Sequence, residues 1–293
     1  MKISGLIIVR NAVLNDYPVV EAISSVLPMV DEMVVSIDVG DDNSEELIRS
    51  MNDPKIKIFY STWDMSLRDG GKLYGVETNK AKEHVSPDSD WIFYIQADEI
   101  IHEKYQQVIL ETANKYCNNP KVQGLLFRYL HFYATYDYVG ASRKWYNYEV
   151  RLIKNDKSIQ SYKDAQGFRV GETKLRVVPV DAEVYHYGWV KSPEQMKRKM
   201  KNVFAYYNTN DNWVDTFMKS EDFFNFQDEY DSVARFTGTH PAVMKERIQN
   251  KNWDIQLDVS RKRFSLKDRI LFFIEQKTGK RLFEFRNYRI IKP

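Results

Sequence analysis

Polar and charged residues follow three of the short apolar runs in the first hundred residues. Arg10 and Asn11 follow the first run, Asp38 follows the second, and residues 96–99 (QADE) follow the fourth. The carboxyl ends of parallel strands meet at one edge of a sheet, and ligands bind in the crevice there. Carboxylates at such an edge can bind a hard cation or accept hydrogen bonds. The pattern therefore predicts one ligand site built from residues far apart in the sequence.

The elements that must position these residues alternate regularly along the first part of the chain. Apolar runs predict strands, and segments with apolar residues at helical spacing predict helices between them. Strands are predicted at residues 3–9, 32–37, 55–60, 91–95 and 122–127, with helices that begin near residues 16, 43, 71 and 103. Such alternation is typical of the α/β class, with a mostly parallel sheet flanked by helices.

The second part of the chain has a different pattern. Residues 126–190 combine strand-like pieces at 150–153, 175–179 and 183–187 with loops dense in Tyr, Trp, Arg and Gly, and a helical pattern begins near Ser192. Residues 261–293 contain eleven Lys and Arg against three Asp and Glu. We therefore predict a sheet domain over residues 1–190 and a helical C-terminal extension over residues 191–293.

Composition excludes several classes of protein. The chain has 293 residues, a net charge of +2 and one cysteine, Cys117, so a disulfide framework and a cysteine-built metal site are excluded. The nearly balanced charge argues against a nucleic-acid-binding protein. No apolar run approaches the roughly 18 residues of a membrane span, and the first run does not have the form of a signal peptide. We expect a cytoplasmic protein.

Three motifs resemble those of family 2 glycosyltransferases. Residues 31–44 (DEMVVSIDVGDDNS) are similar to the family's second-strand motif, and residues 91–99 (WIFYIQADE) are similar to its metal motif, D-A-D-E. Residues 7–11 (IIVRN) are similar to its opening motif, with Ala12 where Glu is usual. The matches cover about residues 3–190. The resemblance implies a Rossmann-like GT-A fold and a transferase that depends on a nucleotide sugar.

The resemblance also implies a divalent cation, Mn²⁺ or Mg²⁺, which would stabilise the charge of a leaving nucleoside diphosphate. Asp98 is the first predicted ligand, and His186 resembles the late histidine that many such enzymes use as a further ligand. Gln96 replaces the first acid of the motif, and a neutral amide there weakens the binding of a metal. In the alternative interpretation, Asp98 or Glu99 caps a helix and His186 packs in the core.

The nucleotide-binding residues implied by the resemblance come from three segments. Asp38 would accept a hydrogen bond from the base or the ribose, and Arg10 and Asn11 would frame the nucleotide. Arg68 and Lys72 are predicted to bind the diphosphate, because the glycines between them allow a close approach of the backbone near a helix N-terminus. Each of these two cations could instead be a solvated surface charge.

A transfer with inversion needs a carboxylate that takes the proton of the acceptor hydroxyl. In the family this base lies between the metal motif and the late histidine, where this chain has Glu149, Asp164 and Glu172. Asp164 is the preferred candidate, because it lies in a loop-like segment with a glycine, and Glu172 follows. The aromatic residues between positions 129 and 148 would line the acceptor side, or pack against the sheet.

These observations predict an inverting, metal-dependent glycosyltransferase that moves a sugar from a nucleotide-diphosphate sugar to a saccharide acceptor, in the synthesis of bacterial surface polysaccharide. The alternative is a non-catalytic relative that binds a nucleotide sugar or a glycan, which Gln96 and the uncertain base both favour. Leu266, Ile270 and Phe273 beside basic residues suit peripheral contact with an anionic membrane. A solvated basic face over an apolar core stripe is the alternative for that segment.

Overall fold

The first four strands of the protein form a parallel sheet. The computed structural model describes residues 1–38, 40–207 and 224–292, so Val39 of the second motif lies outside the described residues. The strands are β1 (Ile3–Val9), β2 (Glu32–Asp38), β3 (Ile56–Ser61) and β4 (Trp91–Tyr94), and their spatial order is β3-β2-β1-β4. All pairs among them are parallel. Their carboxyl ends therefore meet at one edge, as the sequence predicts.

Helices cover both faces of this sheet. They are α1 (Val19–Val26), α2 (Ser44–Arg49), α3 (Lys72–Lys82) and α4 (Gln106–Tyr116). Successive side chains of a strand point to opposite faces. Ile7 accordingly packs in one core cluster with Ile23 of α1, whereas Leu6 packs in another with Ala81 of α3. The near-continuous apolar runs are thus explained by burial on both faces.

Beyond β4 the sheet is mixed. It continues through β5 (Glu99–Ile101), β6 (Gly124–Gly140), β7 (Tyr148–Lys154), β8 (Ile159–Tyr162), β9 (Gly167–Val170) and β10 (Thr173–Val190). Strand β7 pairs antiparallel with β4 and β6, while β6 and β10 run parallel to each other. The predicted α/β class is confirmed, with the parallel order kept from β3 to β4.

The loops predicted over much of residues 126–190 are wrong. Strand β6 extends to Gly140, and the pieces predicted at 175–179 and 183–187 belong to the single strand β10. The pairing of β10 with β6 shifts register between Pro179 and Glu183, which marks a bulge. Many of the aromatic residues that indicated loops, such as Phe132, Tyr138 and Tyr187, are buried along these strands, because their large flat side chains pack well on a sheet surface.

The described part of residues 191–293 contains helices joined by long irregular segments and returns twice to the sheet. Its helices are α5 (Pro193–Ala205), α6 (Phe226–Glu229), α7 (Lys245–Gln249) and α8 (Leu266–Thr278). Two short strands, β11 (Val233–Arg235) and β12 (Tyr288–Ile290), pair with β6 and β10 respectively. Among the residues described, none of the helices has the length and apolar character needed to cross a membrane.

Candidate functional site

The carboxyl ends of β1 and β4 open into a cavity of about 200 Å³, which we name the first cavity. Arg10 enters it after β1, and Gln96 and Asp98 enter it after β4. Helix α5 and the residues that follow it close the other side. The remaining lining residues are Ile8, Asn15, Tyr17, Trp63, Tyr74, Tyr94, Ala97, Asp164, Lys199, Val203, Tyr206 and Tyr207. The structure therefore brings together polar residues that are more than 80 positions apart in the sequence.

Asp38 acts on this cavity through Arg10. It is buried at the end of β2, where its carboxylate forms an ion pair with the guanidinium of Arg10. Its Oδ1 also accepts a hydrogen bond from the backbone N–H of Trp63 at 3.2 Å. The Arg10 guanidinium lies 5.8 Å from the ring centre of Trp63 and 5.7 Å from that of Tyr206. Asp38 thus holds a cation between two aromatic rings, but it does not itself line the first cavity.

Asn11 connects the ends of two strands. Its backbone has φ 51°, and its Oδ1 accepts a hydrogen bond from the N–H of Asp41 at 2.8 Å. A Cβ atom at Gly40 would lie 2.3 Å from that oxygen, so only glycine fits there. Asp42 accepts a hydrogen bond from the N–H of Leu14 at 2.7 Å. Asn11, Asp41 and Asp42 therefore hold residues 40–42 in place beside the first cavity, but they do not line it.

Asp98 lies between two groups that can carry positive charge. Its Oδ2 is 3.6 Å from Nε2 of His186 and 3.4 Å from Nζ of Lys199. Burial alone would raise the pKa of Asp98, but the electrostatic attraction of the His186 ring and the Lys199 ammonium outweighs burial and holds this pKa well below its usual range. Asp98 is therefore ionised at neutral pH. Sequence reasoning missed Lys199, because a lysine in a basic helix gives no signal that distinguishes it from a solvated charge.

His131 of β6 was also missed, and it determines the orientation of His186. The two Nδ1 atoms are 3.2 Å apart, and Nε2 of His131 is 2.8 Å from the carbonyl oxygen of Tyr146. Burial lowers the pKa of His131 to about 3, so its neutral ring has one N–H, which donates to that carbonyl. Its Nδ1 then accepts a hydrogen bond from Nδ1–H of His186. With Nδ1 engaged in this way, His186 turns its Nε2 towards Asp98.

Asp98 and His186 fit a cation that is completed by its substrate. Mg²⁺ and Mn²⁺ sites commonly use one or two protein ligands together with phosphate oxygens. The contact of His131 with the far nitrogen of His186 is the arrangement that orients metal-binding histidines. Within the ranges that the structure describes, no group of three or more His, Cys, Asp or Glu side chains is suited to a metal. The cation therefore stays a prediction, with two candidate protein ligands.

Glu99, the neighbour of Asp98, points away from the first cavity. Its side chain is fully buried, and its Oε1 lies 2.7 Å from Nη2 of Arg151. The hydroxyl of Tyr129 donates to the same oxygen at 2.7 Å. Asp98 thus lines the first cavity, whereas Glu99 forms a buried structural ion pair. This difference is expected because β5 begins at Glu99.

Of the two glycines between Arg68 and Lys72, Gly71 is needed for packing. Lys72 is exposed and Arg68 is half-buried, and neither of these described side chains lines the first cavity. Gly71 has φ 72°, and a Cβ atom there would lie 2.8 Å from Cβ of Asp164 and 2.6 Å from Cε1 of Tyr207. The absence of a side chain at Gly71 therefore lets the segment of Asp164 pack against the start of α3.

Asp164 lies in the walls of two cavities. Besides the first, it lines a cavity of about 400 Å³, the second cavity. The other residues of the second cavity are Arg143, Lys144, Trp145, Tyr146, Glu149, Tyr162, Lys163, Gln166, Lys267, Asp268, Leu271, Arg281, Phe283, Glu284, Phe285 and Asn287. Lys163 and Ala165 have φ 53° and 61°, a left-handed conformation that is costly without glycine and is concentrated at functional sites. The hydroxyl of Tyr207 donates to Asp164 at 3.3 Å.

The other two candidates for the base lie in different surroundings. Burial raises the pKa of Glu149 to about 8, although Arg151 opposes this effect, so Glu149 is largely protonated at neutral pH. A protonated carboxyl cannot accept a proton. Glu172 lies on the turn before β10 with its side chain 93% exposed, and the structure does not bring it to either cavity. Of the three candidates for the base, only Asp164 lines both cavities.

Comparisons with known proteins show distant likenesses to solved structures. No family model and no curated protein sequence matches the chain. S. aureus TarS is 13% identical with a TM-score of 0.41, over 74% of this chain and 42% of that one. The 4-diphosphocytidyl-2C-methyl-D-erythritol synthase of Anaerococcus prevotii is 13% identical with a TM-score of 0.37, over 68% and 94%. Glucosyl-3-phosphoglycerate synthase of Mycobacterium tuberculosis, in complex with Mn²⁺ and UDP-glucose, is 15% identical with a TM-score of 0.31, over 45% and 44%.

This chain thus spans less than half of the TarS chain. The three structures bear the names of different proteins, and likenesses this distant do not assign an activity.

Proposed function

We propose that this protein is a glycosyltransferase that binds a nucleotide-diphosphate sugar in the first cavity and a saccharide acceptor in the second. The observation that supports this proposal most strongly is the position of Asp164, which lines both cavities. A group-transfer enzyme needs its base where donor and acceptor meet. The residues of each cavity suit the ligand that the proposal places there.

The first cavity offers cations and flat aromatic rings. Arg10, held between Trp63 and Tyr206, and Lys199 provide positive charge for a diphosphate. Aromatic rings provide a surface on which a nucleobase can stack. In the second cavity, Trp145 and Tyr146 provide similar surfaces for the C–H faces of a sugar.

The proposed reaction is a single displacement with inversion. The acceptor hydroxyl gives its proton to the carboxylate of Asp164 while its oxygen forms a bond to the anomeric carbon of the donor sugar. The bond from that carbon to the diphosphate breaks on the opposite face, and the nucleoside diphosphate leaves with the electron pair. Arg10 and Lys199 stabilise the negative charge that develops on the leaving group.

Asp98 and His186 would hold the divalent cation, and His131 would fix the orientation of His186. When bound, such a cation supplies Lewis-acid stabilisation of the leaving diphosphate. The proton transfer to Asp164 and the stabilisation of charge by Arg10 and Lys199 are carried out by side chains of the protein itself.

We also propose that the acceptor is presented at an anionic membrane surface, as the synthesis of bacterial surface polysaccharide requires. Helix α8 provides Leu271 to the second cavity, while Leu266, Ile270 and Phe273 are 76%, 54% and 62% exposed on another face. Their spacing of four and three residues places them in one stripe. The exposed basic residues Lys267, Arg269 and Lys277 lie on the same helix, and the exposed Lys280 and Arg286 follow it in the chain. An exposed apolar stripe on a helix with exposed basic residues suits insertion among anionic headgroups.

A donor screen tests the proposed activity. Calorimetry with UDP-, GDP- and dTDP-sugars in Mn²⁺ should identify one nucleotide that binds, and its sugar should be released slowly to water and faster to a suitable saccharide. Binding without hydrolysis or transfer to any saccharide of a broad panel would instead support a non-catalytic relative. If none of the nucleotides binds, the placement of a donor in the first cavity is wrong.

A further inference from the structure

We propose that Lys199 competes with a divalent cation for Asp98 and binds the diphosphate of the donor once the cation has displaced it. This inference rests on the proposed function, since it places a nucleoside diphosphate in the first cavity. It assigns a binding role to a residue that none of the three motifs contains.

The contacts of Lys199 place its ammonium group where a cation would act. Its side chain is 14% exposed, and it lines the first cavity from α5. Nζ donates to the carbonyl oxygen of Gly188 at 2.7 Å and lies 3.4 Å from Oδ2 of Asp98. The ring centre of Tyr17 is 4.8 Å from the same nitrogen. An ammonium has three N–H donors, so these contacts leave donor capacity for a ligand in the first cavity.

The same oxygen of Asp98 is the one that faces His186. Oδ2 lies 3.6 Å from Nε2 of His186 and 3.4 Å from Nζ of Lys199, so a cation shared by Asp98 and His186 would lie close to the ammonium. Two positive charges at such a distance in a partly enclosed cavity repel strongly. The cation and Lys199 therefore cannot both hold Oδ2 in the absence of further negative charge.

A diphosphate supplies that negative charge. Arg10 is already paired with Asp38, whereas Lys199 would keep only its contacts with Gly188 and Tyr17 and would lose its anionic partner when the cation takes Asp98. A buried or half-buried ammonium is costly without a partner. Phosphate oxygens beside the cation provide one, so the cation and the nucleotide should bind cooperatively through Lys199.

The substitution Lys199→Met keeps the length of the side chain and removes its charge. If Lys199 competes with the cation for Asp98, this variant should bind Mn²⁺ more tightly and the nucleotide more weakly. With Mn²⁺ alone, measured by electron paramagnetic resonance of free Mn²⁺, the variant should bind the ion about tenfold more tightly than the wild type. With UDP and GDP titrated by calorimetry at saturating Mn²⁺, it should bind the preferred nucleotide about tenfold more weakly. Lys199→Arg should stay near the wild type in the nucleotide titration.

Lys201→Met is the matched control, since Lys201 is an exposed lysine on the same helix and should change neither affinity. If Lys199→Met weakens both affinities or leaves both unchanged, the inference is wrong, because a merely structural role predicts a loss in both titrations. If the wild type binds Mn²⁺ but neither UDP nor GDP nor any other nucleoside diphosphate, the proposed function fails and the diphosphate role fails with it. Nucleotide binding that is equal in wild type and variant overturns the role of Lys199 alone.

Discussion

The two cavities that meet at Asp164 differ in how their charges are balanced. In the first cavity, Asp98 is paired with Lys199, and Arg10 is paired with Asp38, which does not itself line the cavity. In the second cavity, the buried Oε2 of Glu149 has no hydrogen-bond partner among the described residues. Nε of Arg10 and Nε1 of Trp63 in the first cavity also have no such partner. The charges of Arg10 and Asp98 are thus paired before a ligand arrives, whereas both cavities contain polar atoms that a ligand can satisfy.

The cavities also differ in their origin along the chain. The first is built on the ends of β1 and β4 and closed by α5, so rigid strands position its charges. The second takes one wall from residues 267–287, close to the C-terminus of the chain. The proposed donor site lies on the sheet edge, whereas the proposed acceptor site is bounded by residues 267–287. Changes in this segment could therefore alter the acceptor without changing the donor site.

The largest effect that this comparison predicts is at Asp98. Asp98→Asn removes the charge that holds a cation and Lys199, so donor hydrolysis should fall by about 10³-fold or more. Release of nucleoside diphosphate, followed by chromatography in Mn²⁺, measures the loss. Asp88→Asn, at a 70% exposed aspartate, is the control and should keep full turnover. Turnover near the wild-type level in Asp98→Asn would remove Asp98 from the donor site.

Glu149→Gln tests the electrostatics of the second cavity. Because the fold raises the pKa of Glu149 from about 4.5 to about 8, the folded protein binds an extra proton between these values. The stability of the wild type therefore decreases as pH rises through this window, by up to about 1.4 kcal/mol per pH unit. Glutamine has no proton to lose, so the variant should match the wild type near pH 4.5 and exceed its stability at pH 8. Urea unfolding at both pH values measures the difference.

The same variant tests whether Glu149 is the catalytic base. Glu149→Gln should keep most of the transfer activity at pH 7, since a largely protonated carboxyl is not the proton acceptor. An activity loss comparable with that of Asp98→Asn, together with an unchanged pH dependence of stability, would show that Glu149 is ionised and acts as the base.

The smallest expected effect concerns the exposed stripe of α8 beside the second cavity. Phe273→Ser should reduce cosedimentation with vesicles that contain phosphatidylglycerol by several-fold, because one large apolar side chain no longer enters the interface. Vesicles of phosphatidylcholine alone should bind the wild type weakly. Val13→Ser, at an exposed apolar residue outside the basic segment, is the control. Equal binding of wild type and Phe273→Ser would contradict the proposed membrane surface.

Local patterns predict the first half of the fold, because buried parallel strands are continuous apolar runs. Strands β6 and β10 were not recognised at full length, since their buried tyrosines alternate with polar residues and their pairing joins distant segments. The convergence of Arg10 and Asp98 on one cavity follows from the ends of parallel strands. His131 and Lys199 could not be predicted, because single residues without a spacing pattern acquire their role only from tertiary contacts.

The proposed role of Asp164 at the meeting point of the two cavities is tested by Asp164→Asn when donor binding and transfer are measured on the same protein. The variant should bind the preferred nucleotide sugar with wild-type affinity, while transfer to the best saccharide acceptor should fall by about 10²- to 10⁴-fold. Glu172→Gln, at the exposed turn, should leave both quantities unchanged. Transfer at the wild-type rate by Asp164→Asn, with the donor still bound, would show that Asp164 is not the base.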